Sequence, residues 1–415
     1  MEELRQAQEL AKSNPEQGIS ALRKLINADL PPDEVSRCKE AAILKLGEVL
    51  AENNKTQELL QLLQEIRPLF VSFNKAKTAK IVRALIDLSS KIPNSEELQI
   101  RLCEDSIQWC RDEKRTFLRQ RLETKLAQLY CDSQRYKDAL DTISPLLKEV
   151  KKLDDKLQLV EIQLIESKVY AKLENIPRSK ASLTASRSCA NAIYCPPVLQ
   201  AEIDMMSGIL NSEEKDYRTA YSYFYEAHEG FNSVEDSRAL FALKNMLLSK
   251  IMCNRPEDVY ILISSKAGTK YTGPQIEAMR CVAHALQMRS LHEFQQALNN
   301  FKQEIEGDPV VIRHVQALYD TMLEQHLIRI IEPFSKVELS HVAELIELPL
   351  EVVTGKLSQM ILDKKFEGTL DQGIGCLIVY DEPPTSKLYE SSLKYLDSLN
   401  LVMDSLFEKA SQVKG

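Results

Sequence analysis

The chain reads as an all-α helical-repeat protein. A right-handed superhelix of antiparallel helix pairs is followed by a winged-helix module with a small β-hairpin, and then by a C-terminal helix. Three observations point there. Only 12 of 415 residues are glycine, well below the usual ~7%, and the chain is rich in helix formers. A period near 40 residues runs through its first three quarters. Three of the twelve glycines then fall in one short segment, 368–375, where the period has stopped.

The repeat is carried by matching joints. Tyr130 leads through a polar stretch to Tyr136 and Ala139. Tyr170 leads to Ile176 and Ala181. Leu210 leads to Tyr217 and Ala220. Helix ends at 130, 170 and 210 are 40 apart, and the small residues at 139, 181 and 220 are 42 and 39 apart. Val259 and Ala297 extend the ladder forwards. Leu98, Leu59 and Gly18 extend it backwards. Such a period fits pairs of helices of about 15 residues, stacked because one pair cannot bury both its faces. The small residue in each second helix lets two backbones approach. Pro15, Pro93, Pro177 and Pro256 sit at or near predicted helix starts, where a missing N–H costs little.

From Asp308 the pattern changes. Val311–Ile328 reads as a helix, Arg329–Phe334 as a short extended stretch, and Ser335–Leu348 as a helix. Pro349 opens a third helix through Leu350, Val353, Leu357, Met360 and Ile361. Two apolar runs around Asp371-Gln372-Gly373 predict a β-hairpin, with Cys376, Leu377, Ile378, Val379 and Tyr380 as an exposed strand able to pair edge-to-edge with a neighbour. Winged helices often bind DNA, but Lys336, Lys356, Lys364 and Lys365 face seven acidic residues between Ser335 and Tyr380. Four minus seven leaves −3, with no arginine to fork onto guanine.

In the last helix Tyr389, Leu396, Met403 and Ala410 recur every seven residues. Ser392, Leu399, Leu406 and Val413 follow, offset by three. Such a seam joins helices from other chains or folds back on its own domain. The expected organisation is a repeat array over 1–307, a winged helix over 308–383 and a bundling helix over 384–415.

Composition narrows function. The net charge of −8 disfavours phosphate backbones, so no nucleic-acid partner is expected. No run approaches the ~18 apolar residues of a membrane span. Nine cysteines without CxxC spacing fit reduced thiols in cytoplasm or nucleus. The six histidines show neither HxH nor HExxH spacing, and no phosphate- or dinucleotide-binding glycine motif occurs. No catalytic residue, cofactor or metal is therefore expected, and neither an isopeptidase nor a nucleic-acid binder is favoured. The faces of Tyr217, Tyr221, Phe224, Tyr225 and His228 read as core packing or a partner surface.

Helical pairs feeding a winged helix and a terminal helix are the plan of PCI-domain proteins. The segments Lys114–Arg121, Ala192–Pro197, Glu214–Ala227 and Lys356–Phe366, with Leu370–Gly373 and Asp381–Pro384, carry the resemblance further. The chain resembles the PCI-domain subunits of the proteasome lid, TPR-like in their repeats, across nearly its whole length. The PCI domain so implied covers roughly 220–385. The resemblance implies a non-catalytic scaffold in ubiquitin-dependent protein degradation. Its N-terminal repeats would lie along the ATPase ring and core-particle α subunits. Its winged helix and last helix would meet other lid subunits. Paralogous scaffolds of the signalosome or a translation initiation complex share the plan and stay open at this point.

Overall fold

The computed structural model describes residues 15–27, 32–53, 56–67, 70, 74–89, 92, 96–271, 273–288, 290–302, 304, 309–346, 348–371, 373–380 and 387–414. The chain divides into two compact units, Met1–Cys253 and Asn254–Gly415. Pro93, Asp308 and Asp381–Pro384, singled out above, lie outside the described residues.

Among the described residues the first unit's regular elements are all helices: α1 Pro15–Asn27, α2 Pro32–Glu52, α3 Thr56–Ile66, α4 Lys75–Ser89, α5 Glu96–Asp112, α6 Thr116–Asp132, α7 Tyr136–Leu153, α8 Lys156–Lys172, α9 Ile176–Asn191, α10 Pro197–Glu213, α11 Tyr217–Ser233 and α12 Arg238–Met252. Helices adjacent in sequence pack together, and α6 also packs on α8, and α8 on α10. One buried apolar cluster runs from Ile19 to Val169, and a second from Val160 to Leu210.

The joints explain how so glycine-poor a chain turns so often. Lys114, Gln134, Asp154, Glu174, Lys215 and Glu235 are left-handed, with φ between 53° and 67°. Most are about 20 residues apart, one per helix end. In five of the six, the next N–H reaches back five residues: Arg115 to the Cys110 carbonyl (2.9 Å), Arg135 to Tyr130 (2.8 Å), Asn175 to Tyr170 (2.9 Å), Asp216 to Asn211 (3.0 Å) and Asp236 to Phe231 (3.1 Å). These are Schellman closures, built without the usual glycine. The following residue then starts the next helix. Asp155, Asn175 and Asp216 accept from the backbone N–H of Gln158, Arg178 and Thr219, satisfying donors that a helix start leaves open. The exception is Ala192–Pro196, where the Pro196-Pro197 pair replaces the left-handed joint.

The small-residue ladder is real, but one rung is misplaced. Ala139 and Ala220 are wholly buried, each the third residue after its helix's first. The equivalent position in α9 is Ser179, also wholly buried, whereas Ala181 is exposed. The hydroxyls of Ser179 and Ser167 lie 3.0 Å apart across the α8–α9 contact. Gly208 does a similar job in α10: a Cβ there would stand 2.5 Å from the Phe224 ring.

The second unit contains α13 Pro256–Ser264, α14 Lys266–Lys270, α15 Pro274–Met288, α16 Leu291–Asn300, α17 Pro309–Ile331, β1 Lys336–Glu338, α18 Leu339–Ile346, α19 Leu350–Leu362, β2 Gly368–Asp371, β3 Cys376–Val379 and α20 Lys387–Lys414. The stretch expected to be extended from Arg329 is instead the end of α17. Leu323, Leu327 and Ile331, four apart, enter the winged-helix core together and keep the segment helical. The strand comes later, at Lys336–Glu338.

The sheet order is β1-β3-β2, antiparallel throughout. Strand β3 is thus central. Val337 and Leu370 flank Leu377 on either side, and Leu377 is wholly buried. The hairpin turn is held by Asp371, whose carboxylate accepts from Gly373 N (3.0 Å) and Ile374 N (3.2 Å). Gly375 takes φ +70°, a conformation glycine adopts without cost.

Candidate interaction surfaces

The residues proposed from sequence fall into two groups with different fates. Cys376 and Leu377 are buried, Ile378 and Val379 half-buried, and Tyr380 exposed. An edge strand at Cys376–Tyr380 is therefore overturned. A strand hydrogen-bonded on both sides has no free N–H and C=O row to offer. The sheet's outer strands are β1 and β2. The Tyr380 hydroxyl accepts a hydrogen bond from Thr369 Oγ1 (2.9 Å) and so braces the hairpin.

The terminal helix is the reverse case. Tyr389, Leu396, Leu399, Met403, Leu406 and Ala410 are all exposed on α20. Phe407 is 78% exposed and Leu388 76%. Leu393, Tyr395 and Val402 extend the same face. At 100° per residue these side chains cover an arc of roughly 180°. The side chain of Val413 lies outside the described ones. A soluble surface rarely carries so long an apolar strip unless something covers it.

Sequence reasoning did not single out a third surface. On the winged helix, Leu345, Leu350 and Val352 are about half exposed around the α18–α19 joint, beside Glu344 and Glu351. A DNA-reading module places basic side chains there. Leu345 belongs to the apolar period of its helix but points away from the core that Val342, Ala343 and Ile346 enter.

In the first unit, a cleft of about 410 Å³ opens between α5 and α7 over α6. Its floor is Ile107, Leu126 and Leu146. Arg119 is paired with Glu123 and Glu149, and Arg111 reaches Glu123 at 3.3 Å. Burial outweighs these arginines and holds the Glu123 carboxyl above its ordinary range. A polar seam joins later helices. Arg187 donates to Ser207 Oγ (2.6 Å) and the Tyr223 hydroxyl (3.0 Å), and its guanidinium stacks on the Tyr223 ring. Glu202 pairs with Lys168 (2.8 Å) and Arg238 (2.5 Å), tying α8, α10 and α12 together. In the aromatic set of α11, Phe224 and His228 are buried while Tyr225 is 48% exposed, so the face divides between core and surface.

Chemistry is sparse. Burial pushes the Cys103 thiol up to about 12 and Cys110 to about 11, which withholds the thiolate that a nucleophile needs. Among the described residues no cluster of His, Cys, Asp and Glu is placed to hold a metal ion. None of their helices is long and apolar enough to cross a membrane.

Comparison with known proteins agrees with this architecture. Residues 1–133 match the family model described as the 26S proteasome regulatory subunit RPN6 N-terminal domain, and residues 292–381 match the PCI domain. The chain is 51% identical over 402 residues to the 26S proteasome non-ATPase regulatory subunit 11 homolog of Arabidopsis thaliana, covering 97% of this chain and 96% of the relative. It is 50% identical to the probable 26S proteasome regulatory subunit rpn6 of Schizosaccharomyces pombe, covering 98% and 97%. It is 46% identical to the 26S proteasome regulatory subunit RPN6 of Saccharomyces cerevisiae, covering 90% and 87%. With a repeat arm, a winged helix and near end-to-end identity to these relatives, the chain belongs to the family of 26S proteasome non-ATPase regulatory subunit 11, also called RPN6.

Proposed function

We propose that this subunit is a non-catalytic clamp in the lid of the regulatory particle. A repeat arm over 1–307 lies along the ATPase ring and core-particle α subunits. A winged helix over 308–383 and a bundling helix over 384–415 engage other lid subunits, in cytoplasm and nucleus. The single observation that carries this reading is α20, a 28-residue helix whose large apolar side chains stand in solvent. Burying such a strip against neighbouring helices gains about 25 cal/mol per Å² of apolar surface. That gain is available only inside an assembly. The acidic, apolar joint of α18 and α19 supports a protein partner over DNA.

Deleting Ser386–Gly415 should leave the far-ultraviolet helical signal per residue and the melting temperature of the rest nearly unchanged, while abolishing incorporation into the lid. Incorporation of the truncated chain at wild-type level, read by affinity purification of the assembled particle, would sink the bundling role.

A further inference from the structure

We infer that, without its neighbours, the chain pairs with a second copy of itself through an antiparallel α20–α20 contact. The inference rests on the same helix face as the lid reading but adds a different occupant. Leu388, Tyr389, Leu396, Leu399, Met403 and Leu406, each 48–76% exposed, lie within about 50° of the centre of one helix face. They present roughly 700 Å² of surface per helix, close to the ~800 Å² each partner contributes to a stable interface. A free chain has one ready source of a matching seam, which is another α20.

The spacing allows a symmetric pairing. With positions that sum to 802 placed opposite one another, Leu396 meets Leu406 of the second copy and Leu399 meets Met403 of the second copy. Each contact occurs twice about the dyad, as a two-fold interface requires. The small pair, Ser392 opposite Ala410, falls towards the ends of the seam, so the bulkiest layers occupy its centre. Antiparallel packing opposes the two helix macrodipoles favourably. It also places the chain leading into each helix at opposite ends of a seam about 42 Å long. The same strip then cannot bind lid helices and a second copy at once, so entry into the particle requires the pair to separate.

Sedimentation equilibrium of the full-length chain at micromolar concentration should return a dimer mass. Leu399→Lys should weaken the pairing at least tenfold, with an unchanged circular dichroism spectrum. The double variant Leu399→Lys/Met403→Glu should restore the dimer, because antiparallel pairing sets each lysine against a glutamate of the second copy. A parallel pair sets lysine against lysine and would not be rescued. A wild-type monomer at every concentration, a dimer indifferent to Leu399→Lys, or failure of the double variant to rescue would each overturn the inference. A monomeric wild type whose Leu399→Lys variant still fails to enter the lid would remove the self-pairing and leave the lid reading standing.

Discussion

Ser179 sits between α8 and α9 with its side chain wholly buried and its hydroxyl 3.0 Å from that of Ser167. Both hydroxyls also donate to carbonyls across the contact, Ser167 to Ser179 O (3.0 Å) and Ser179 to Ser167 O (2.8 Å). A larger side chain would separate the helices, and a charged one would be desolvated without a partner. Ser179→Glu should cost several kcal/mol, whereas Ala181→Glu, two residues along on the exposed face, should stay within about 0.5 kcal/mol of wild type. Chemical denaturation of the two variants checks both. Equal effects would mean that the rung has been placed on the wrong residue. The spacing in the sequence pointed to Ala181, because the true rung depends on where α9 starts, and Asn175 as N-cap decides that.

At the scale of elements, the helix joint is the repeated unit. Six in the first unit close on a left-handed residue, and none of those six is glycine. That conformation costs a residue with a side chain about 1–2 kcal/mol. Lys215 has φ 67° and is exposed. Lys215→Gly should remove that cost while adding chain entropy to the unfolded state, for a net stabilisation of roughly 0.5–1 kcal/mol. A higher midpoint in urea at unchanged slope is the expected readout, and a lower midpoint would argue that the lysine side chain holds the joint. The sequence located three of these joints, between 130 and 136, 170 and 176, and 210 and 217, but their left-handed closure escaped it because glycine, the residue that announces such a turn, is absent from all of them. The β-hairpin was legible for the opposite reason, since Gly373 and Gly375 mark it. Its place in the sheet was not, because a strand's neighbours are set by what returns to pair with it. Here β1 comes back from 38 or more residues upstream to lie beside β3.

Over the whole molecule, burial raises the pKa of four carboxyls on the stacked helices: Glu123, Asp132, Glu161 and Asp204. In each, loss of hydration outweighs the nearby cations. A carboxyl whose folded pKa lies above its unfolded value binds its proton more tightly when folded. Stability from these groups is therefore lost as pH rises from about 4 through their raised values. Glu202, held below its usual range by Lys168 and Arg238 against the effect of burial, acts in the opposite sense. Glu161→Gln should melt above wild type at pH 7, with the difference closing below pH 4, followed by scanning calorimetry. A difference independent of pH would rule out charge burial as its cause.

The helical class, the 40-residue period, the winged-helix order of elements and the apolar seam of the last helix followed from the sequence alone. All rest on local periodicity, which a chain carries in its own spacing. The sequence also pointed to a protein partner rather than DNA, because charge needs no coordinates to be counted. Tertiary structure decided what periodicity leaves open. It moved the buried rung from Ala181 to Ser179, enclosed Cys376 and Leu377 in the middle of the sheet, and left the face of α20 in solvent. Each outcome depends on which surfaces meet across long stretches of chain, and burial is a property of that meeting rather than of any residue's type.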